Sequence, residues 1–481
     1  MTERAEQLGP LPSQRRPIVE LLLLAAPTIA QMASYTVMQF ADRWMLAKVG
    51  HLEATAAGTA GLAFFCVLGF GFGVLFVVNT LVSQSFGRGE IAVTGRYMWQ
   101  GVWWGAAFGT LTLALYPIAD ALFLRMGHEP AVVVHEAEYL RVLSLAGWAK
   151  LATMALGQFL LGLHRPGIVF VGTLLGVFID FLCNWALIFG NWGFPKLGVA
   201  GAAWGTNAGV FVELIVMAAF VMRPAFARAH GTHDWRLRWA MMRQLLRVGV
   251  PAGFQLVCDI AAWTVFMNVI VATFGTPALS ANSFAFAYMH VCFMPAVGVG
   301  SAVTALVGKY IGMGRPDLAE RRAHLGFAVC AVYMVAAGIV LFVWRYELMS
   351  IFSSDPEIQR IGALLMLFVA IYQIFDAMFL TYVSALRGAG DTLVPAIVQA
   401  GLVWTIVVGG GALAARYAPA YGVVGPWTLA TIFAAILGVF LLMRFQRGGW
   451  KRIRLQDGAE LIEPEMGLSQ PATDSATVAA S

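Results

Sequence analysis

Among the few acidic residues within long apolar stretches of this 481-residue chain are Asp42, Asp180, Glu213, Asp259 and Asp376. Asn184 follows Asp180 by four residues and Tyr372 precedes Asp376 by four, so on a helix each pair shares a face. An ionisable side chain in a membrane span costs roughly 2.5–3.5 kcal/mol, and such groups usually have a use. Each of these carboxylates can carry a proton, bind Na+ or accept an interhelical hydrogen bond. Low dielectric disfavours the charged form, which suits a group that loads and releases a proton. The hard oxygens of Asp, Asn, Thr and Tyr equally suit a small hard cation. Asp376 lies deep in its stretch with no obvious basic partner and is the strongest candidate. Asp180 with Asn184 comes next, together with Asp259, eight residues after Pro251. Asp42 has Arg43 beside it, and Glu213 reads more readily as a structural acceptor. Asp120 is expected at an interface, and Arg141 and Lys150 are placed to snorkel or to neutralise an acid.

Other chemistries lack their motifs. The chain has no Gly-x-x-x-x-Gly-Lys-Ser/Thr phosphate loop, no His-Glu-x-x-His, no Gly-x-Ser-x-Gly and no Gly-x-Gly-x-x-Gly after a strand. Its five cysteines, irregularly spaced, form neither a metal motif nor a disulfide framework. An enzyme is therefore not expected, and any uphill transport must draw on an ion gradient.

The elements that hold these acids follow from composition. Hydrophobic residues make up 59% of the chain and charged residues 12%, against roughly 25% charged in an ordinary soluble domain. Lipid must be the solvent for most of the surface. The apolar stretches reach the ~20 residues that cross a ~30 Å hydrocarbon core, and strand-like alternation is absent. Twelve helical spans are predicted at 18–46, 52–85, 94–118, 132–156, 166–190, 198–222, 245–274, 279–309, 322–345, 358–383, 393–415 and 422–444. The first run continues to about Met45, which argues for a helix over a cleaved leader. Of the 31 Lys and Arg residues, 22 fall at the termini and even-numbered connections, which puts both termini in the cytoplasm. The formal charge of +5 thus reads as membrane topology, with no nucleic acid implied.

An internal repeat orders the spans. Pro27-x-x-x-Gln31 recurs as Pro251-x-x-x-Gln255, and Leu81-Val82 with Gly87-x-Gly89 recurs as Leu306-Val307 with Gly312-x-Gly314. Pro130 recurs as Pro356, Gly162 as Gly388, and Gly198-Val199-x-Gly201 as Gly422-Val423-x-Gly425. Every offset is 224 to 226 residues. Six helices per repeat give two parallel halves related by an axis along the membrane normal, an arrangement suited to alternating access. The segments Gly101-x-x-x-Gly105-x-x-x-Gly109, Gly172-x-x-x-Gly176 and Gly201-x-x-x-Gly205-x-x-x-Gly209 read as helix-packing faces. The plentiful Phe, Trp and Met residues supply interfacial belts and an adaptable apolar lining for flat cations.

Over residues 18–446 the chain resembles the multidrug and toxic compound extrusion (MATE) family, particularly its NorM-like bacterial members. The resemblance is carried by Pro27-Thr28-Ile29-Ala30-Gln31, by Phe40-Ala41-Asp42-Arg43-Trp44-Met45 before Val49-Gly50, by Ser83-Gln84-Ser85-Phe86-Gly87-Arg88-Gly89, and by Leu386-Arg387-Gly388-Ala389-Gly390-Asp391-Thr392 with Pro395. Arg88 stands where the family signature usually has alanine. The resemblance implies a V-shaped pair of six-helix bundles and antiport of organic cations against H+ or Na+. It assigns Asp42 as the first-lobe aspartate, with Asp180, Asn184 and Thr206 around it as cation ligands or proton relay. It matches Tyr372 and Asp376 to the second-lobe site, with Asp259 where a Glu is usual. Asp180 departs from the common Asn, and the shorter Asp259 would alter second-lobe coordination. Na+ could therefore bind at Asp259, Tyr372 and Asp376 or at Asp42, Asp180 and Asn184.

The expectation is an all-α integral membrane protein with a cytoplasmic segment 1–17, a first lobe 18–222, a cytoplasmic linker 223–244, a second lobe 245–446 and a disordered tail 447–481. It would act as a monomer in the bacterial inner membrane, among membrane lipids. It would export organic cations or drugs, with no cofactor beyond the coupling ion. A lipid-linked oligosaccharide flippase is the rival within transport, and would need a strongly cationic central cavity.

Overall fold

A computed structural model describes residues 16–453 and 455. The described residues are helical, with short turns between helices. In chain order they form α1 (Pro17–Val49), α2 (His51–Arg88), α3 (Ile91–Arg125), α4 (Pro130–Ser144 followed by Gly147–Gly162), α5 (Pro166–Phe189) and α6 (Val199–Val221). The second half holds α7 (Trp239–Phe274), α8 (Thr276–Gly312), α9 (Pro316–Val343), α10 (Pro356–Gly388), α11 (Leu393–Tyr417) and α12 (Val424–Gln446). Short helices Pro224–His230 and Arg345–Phe352 lie in the connections. Eleven of these are long and apolar enough to cross a membrane. Large apolar side chains such as Val332, Ile339 and Phe342 on α9 are exposed, as a lipid-facing surface requires.

The fourth predicted span, 132–156, is two helices laid end to end. The break at Leu145–Ala146 has a local cause. Gly109 and Gly147 let α3 and α4 approach so closely that a Cβ on Gly109 would stand 2.3 Å from the Trp148 Cα. The Thr112 hydroxyl, donated at 2.9 Å to the freed Ser144 carbonyl, satisfies a backbone group the helix has released.

The repeat is written into the backbone. Gly89 and Gly314, which end α2 and α8, have φ of +82° and +70°, and Gly198 and Gly422 both have +54°. These left-handed positions are ones a side chain would strain. Within the first half, α5 and α6 touch backbone to backbone through Gly176 and Gly209, the close approach expected of their small-residue faces.

The two six-helix bundles meet along α1 with α8 and along α2 with both α7 and α8. Gly73 and Gly253 abut near the middle, and Gly87 lies against the Lys309 carbonyl and Gly312. The hydrogen bonds crossing between bundles lie in the half nearest the start of α1. Thr80 donates to the Arg387 carbonyl at 2.9 Å and Gln84 to the Gly388 carbonyl at 2.9 Å. Glu20 of α1 accepts from Arg322 at 2.9 Å, from Tyr310 at 2.8 Å and from Lys309 at 3.3 Å. At the far end of α1, Phe40 and Trp44 are exposed.

Two segments outside the lobes are packed against them. Segment 223–244 is strapped to α3, with Trp99 donating to the Thr232 carbonyl at 2.7 Å and Trp103 to that of Trp235 at 2.9 Å. Asp234 there pairs with Arg238 and Arg96 at 2.9 and 3.0 Å. Partial burial pushes Asp234 up, but the two arginines outweigh it and hold the carboxyl below the usual range. A depressed acid stabilises above its ordinary pKa, so the strap loosens only as pH falls through the lowered value. The start of the expected disordered tail is also ordered. Trp450 is buried, stacked on Phe445 with ring centroids 4.9 Å apart, because an indole at that position fills the base of α12. The remainder of that tail, and segment 1–15, lie outside the described residues.

The clasp makes a prediction. A Cβ on Gly312 would stand 2.1 Å from the Gln84 carbonyl oxygen. Gly312→Ala should cost about 1–3 kcal/mol against this closed face. In a cysteine-free background, spin labels at Glu90→Cys and Arg315→Cys should move apart in Gly312→Ala. An unchanged distance distribution would show that the close approach does not hold the face shut.

Candidate functional site

The first bundle brings its four predicted residues together. Asp42 near the end of α1 is half-buried, while Asp180 and Asn184 on α5 are buried. The Asn184 amide donates to Asp42 at 2.7 Å and to Asp180 at 3.2 Å, so one carboxamide bridges two carboxylates. Thr206 on α6 lies beside Asp180, though its hydroxyl donates back to the Ala202 carbonyl at 3.1 Å. Tyr139 of α4 stands next to Thr206, within electrostatic reach of both aspartates, and the nearby cations are Lys150 beside Asp180 and Arg43 beside Asp42. One oxygen of Asp180 and the Asn184 carbonyl oxygen are buried without a hydrogen-bond partner. Such atoms are free to ligate a proton or small cation. Beside Asp180, α1 and α5 leave a cleft lined by Val37, Met38, Ala41, Leu174, Val177 and Phe178.

Gly205 makes room for this arrangement. A Cβ there would lie 1.9 Å from the Asn184 side-chain oxygen. Tyr139 escaped the sequence reading because its nearest acid partners lie on other helices.

In the second bundle, Asp376 of α10 is only 4% exposed, and one of its oxygens has no hydrogen-bond partner. Asp259 on α7 is half-buried and close enough for the two charges to repel. Tyr372 is buried one turn before Asp376, its ring 6.2 Å from that of Trp263. Asp259 accepts from Gln399 of α11 at 2.9 Å, and Gln399 in turn accepts from Gln255. No lysine or arginine pairs with either aspartate among the described residues. Gln399 is a polar residue in an apolar span and could have been singled out on that ground. Asp120, expected at an interface, pairs with Arg141.

Glu213 of α6 is 2% exposed and accepts the Tyr35 hydroxyl on both oxygens at 2.8 Å. Thr173 also donates to it and receives the Gln31 amide at 3.1 Å.

Two parallel six-helix bundles, each burying carboxylates and clasped at one face, define a two-lobed membrane carrier. The chain belongs to the MatE family, whose model matches residues 27–186 and 251–409. It is 29% identical to a probable multidrug resistance protein NorM of Mesorhizobium japonicum, over 90% of this chain and 94% of that protein. It is 26% identical to the multidrug resistance protein PmpM of Pseudomonas aeruginosa, over 82% and 83%. Its fold matches a multidrug resistance MATE family transporter solved in an outward-facing conformation, with TM-score 0.83 and 18% identity over 94% of this chain and 99% of that one.

Gly205→Ala should displace the Asn184 carboxamide and unlink Asp42 from Asp180. Gradient-driven efflux in liposomes should fall by about tenfold at equal protein incorporation. Efflux equal to that of the parent protein would mean that Asn184 does not organise the pair.

Proposed function

We propose that this chain is a multidrug efflux antiporter of the bacterial inner membrane that exchanges organic cations for H+ or Na+. The observation that carries the reading is Asp376: a buried carboxylate oxygen without a partner, near a second aspartate and without a paired base. Such a site gains a cation or proton readily and gives it up when the lobes rearrange. Relatives named for multidrug resistance support small organic substrates. Both termini would lie in the cytoplasm, which makes the clasped face cytoplasmic, and the protein would act as a monomer among membrane lipids. The coupling ion is the one small cofactor needed.

A flippase for diphosphate-linked sugars would need a cationic central cavity. Here Lys309 and Arg322 are spent on Glu20 at the clasped face. A membrane-embedded enzyme would need a nucleophile or a His–Asp pair. His290 lies on an exposed part of α8, and its charged neighbour is Arg43.

Reconstitution in liposomes, with a pH or a Na+ gradient imposed separately, tests the reading with a fluorescent organic cation. Asp376→Asn should insert normally and lose at least about tenfold of the driven rate. Full driven efflux by Asp376→Asn and by Asp180→Asn would remove both carboxylates from coupling.

A further inference from the structure

The internal repeat maps the second-lobe site onto a place in the first lobe that is not the Asp42 cluster. At the 224-residue offset of α1 and α7, Gln255 corresponds to Gln31 and Asp259 to Tyr35. At the 226-residue offset of α4 and α10, Asp376 corresponds to Lys150, and Gln399 corresponds to Thr173 at the same offset. The contacts repeat as well as the positions. Gln255 donates to Gln399 in one lobe and Gln31 to Thr173 in the other. Where the second lobe has its carboxylate on Asp259, the first has the Tyr35 hydroxyl, and that hydroxyl donates to Glu213 from α6. Where the second lobe has Asp376, the first has Lys150, its ammonium 5.0 Å from the centre of the Tyr35 ring.

This inner cluster also has a fixed relation to the outer one. Tyr35 precedes Asp42 by seven residues, Thr173 precedes Asp180 by seven, and Glu213 follows Thr206 by seven. Two helical turns on each of three helices is about 10 Å. Because α6 runs antiparallel to α1 and α5, all three steps lead the same way, toward the clasped face. Lys150 lies between the two clusters, near Asp180 and over Tyr35.

The hydrogen-bond directions are set by proton counting. Thr173 receives the Gln31 amide and Tyr35 has one proton, so both hydroxyl hydrogens point at Glu213. A purely structural acceptor at this place needs only a carbonyl oxygen. A glutamate side chain there bears the cost of an acid within the membrane.

We propose that Glu213 is a second proton-accepting site of the first lobe, related by the repeat to the Asp259 site and lying inward of Asp42 and Asp180. It rests on the reading of the chain as an ion-coupled antiporter. A proton from water adds to one carboxylate oxygen and later returns to water. The carboxyl then changes from an acceptor of hydroxyls into a donor, and Tyr35 or Thr173 must turn away. Since Tyr35 is on α1 and Thr173 on α5, the protonation state bears on how α6 sits against both. Tyr35 on α1 touches Glu213 and Lys150 on α4 lies over the Tyr35 ring; further along, α1 carries Asp42 and Arg43, α5 carries Asp180 and Cys183, and the first half of α4, also packed on α6, carries Glu136, Tyr139 and Arg141. Helix α2 carries His51, Glu53 and Arg88 only at its ends and Cys66 near its middle, and the helix Pro224–His230 carries Arg228 and His230 at its end.

The test uses the full chain in liposomes with an imposed pH gradient and ethidium as the probe. Glu213→Gln should lower the initial rate at least about tenfold and flatten its pH profile. Ethidium binding in detergent should stay within about twofold. Glu213→Asp should recover part of the rate, and Tyr35→Phe should shift the pH midpoint. A Glu213→Gln protein with the parent rate and pH profile overturns the inference, as does transport driven by Na+ alone and unaltered in that variant. If Asp180→Asn and Asp376→Asn lose driven efflux while Glu213→Gln keeps it, only this inference fails. If those two also keep it, the coupling reading fails first. A Glu213→Gln protein that aggregates on size exclusion while Glu213→Asp runs and transports as the parent shows a carboxylate requirement and sustains the site. Loss in both variants with unchanged pH profile of the residual rate makes Glu213 a structural latch and overturns it.

Discussion

A carboxylate withdrawn from water must be given either a cation or donors enough to replace its hydration. Both lobes choose donors and withhold the permanent ion pair. Asn184 spends its one amide on two aspartates, and Gln399 serves Asp259 while itself held by Gln255. Full pairing with arginine is found elsewhere, at Glu20 with Arg322 and at Asp391 with Arg444, both toward the clasped face. The chain thus separates two kinds of acid. Those near the clasped face are neutralised by fixed bases and serve as fasteners, while Asp180 and Asp376, deeper in the lobes, each keep one oxygen in reserve.

That reserve depends on how closely the helices approach. The carboxamide of Asn184 fits only because α6 presents Gly205 to it, and α5 meets α6 through Gly176 and Gly209 with no side chain between. Between the lobes the logic differs. There too glycines abut, and the hydrogen bonds run from side chains on α2 to backbone carbonyls at the end of α10 and from Tyr310, Arg322 and Lys309 to Glu20 of α1. The neutral bonds are each worth only about 1 kcal/mol net and the charged ones about 1.5–3 kcal/mol, since water replaces them when they open. Lobes that are internally rigid and joined by exchangeable bonds can separate as units, which alternating access requires.

Much of this was legible because lipid imposes long periods on the sequence. Twelve helices and the repeat offset follow from span length and glycine landmarks, and Asp180 shares a helix face with Asn184 by spacing alone, whereas their grouping with Asp42 is what the family resemblance implied. What escaped were features that depend on a partner from another helix. The break in α4 needs Thr112, 32 positions from the carbonyl it satisfies. Glu213 reads from sequence as an acceptor, but its donors Tyr35 and Thr173 are 178 and 40 positions away and could not be named. Trp450 read as part of a polar tail, since nothing local shows that Phe445 awaits a stacking partner.

The repeat also explains why the two lobes look unlike one another while serving one cycle. Lys150 replaces Asp376 at the corresponding place, and Tyr35 replaces Asp259, so a residue-by-residue comparison finds the acids exchanged for a base and a phenol. Formal charge is also distributed differently. Counted with every group ionised, Asp42, Asp180 and Glu213 with Arg43 and Lys150 sum to −1, against −2 for Asp259 with Asp376. In the first lobe the acids sit at two levels, Asp42 with Asp180 toward the open end and Glu213 two turns away along α6, whereas in the second Asp259 and Asp376 are close enough for their charges to repel. The first lobe spreads its charge along the helices and the second concentrates it, so the two present different fields to the space between them.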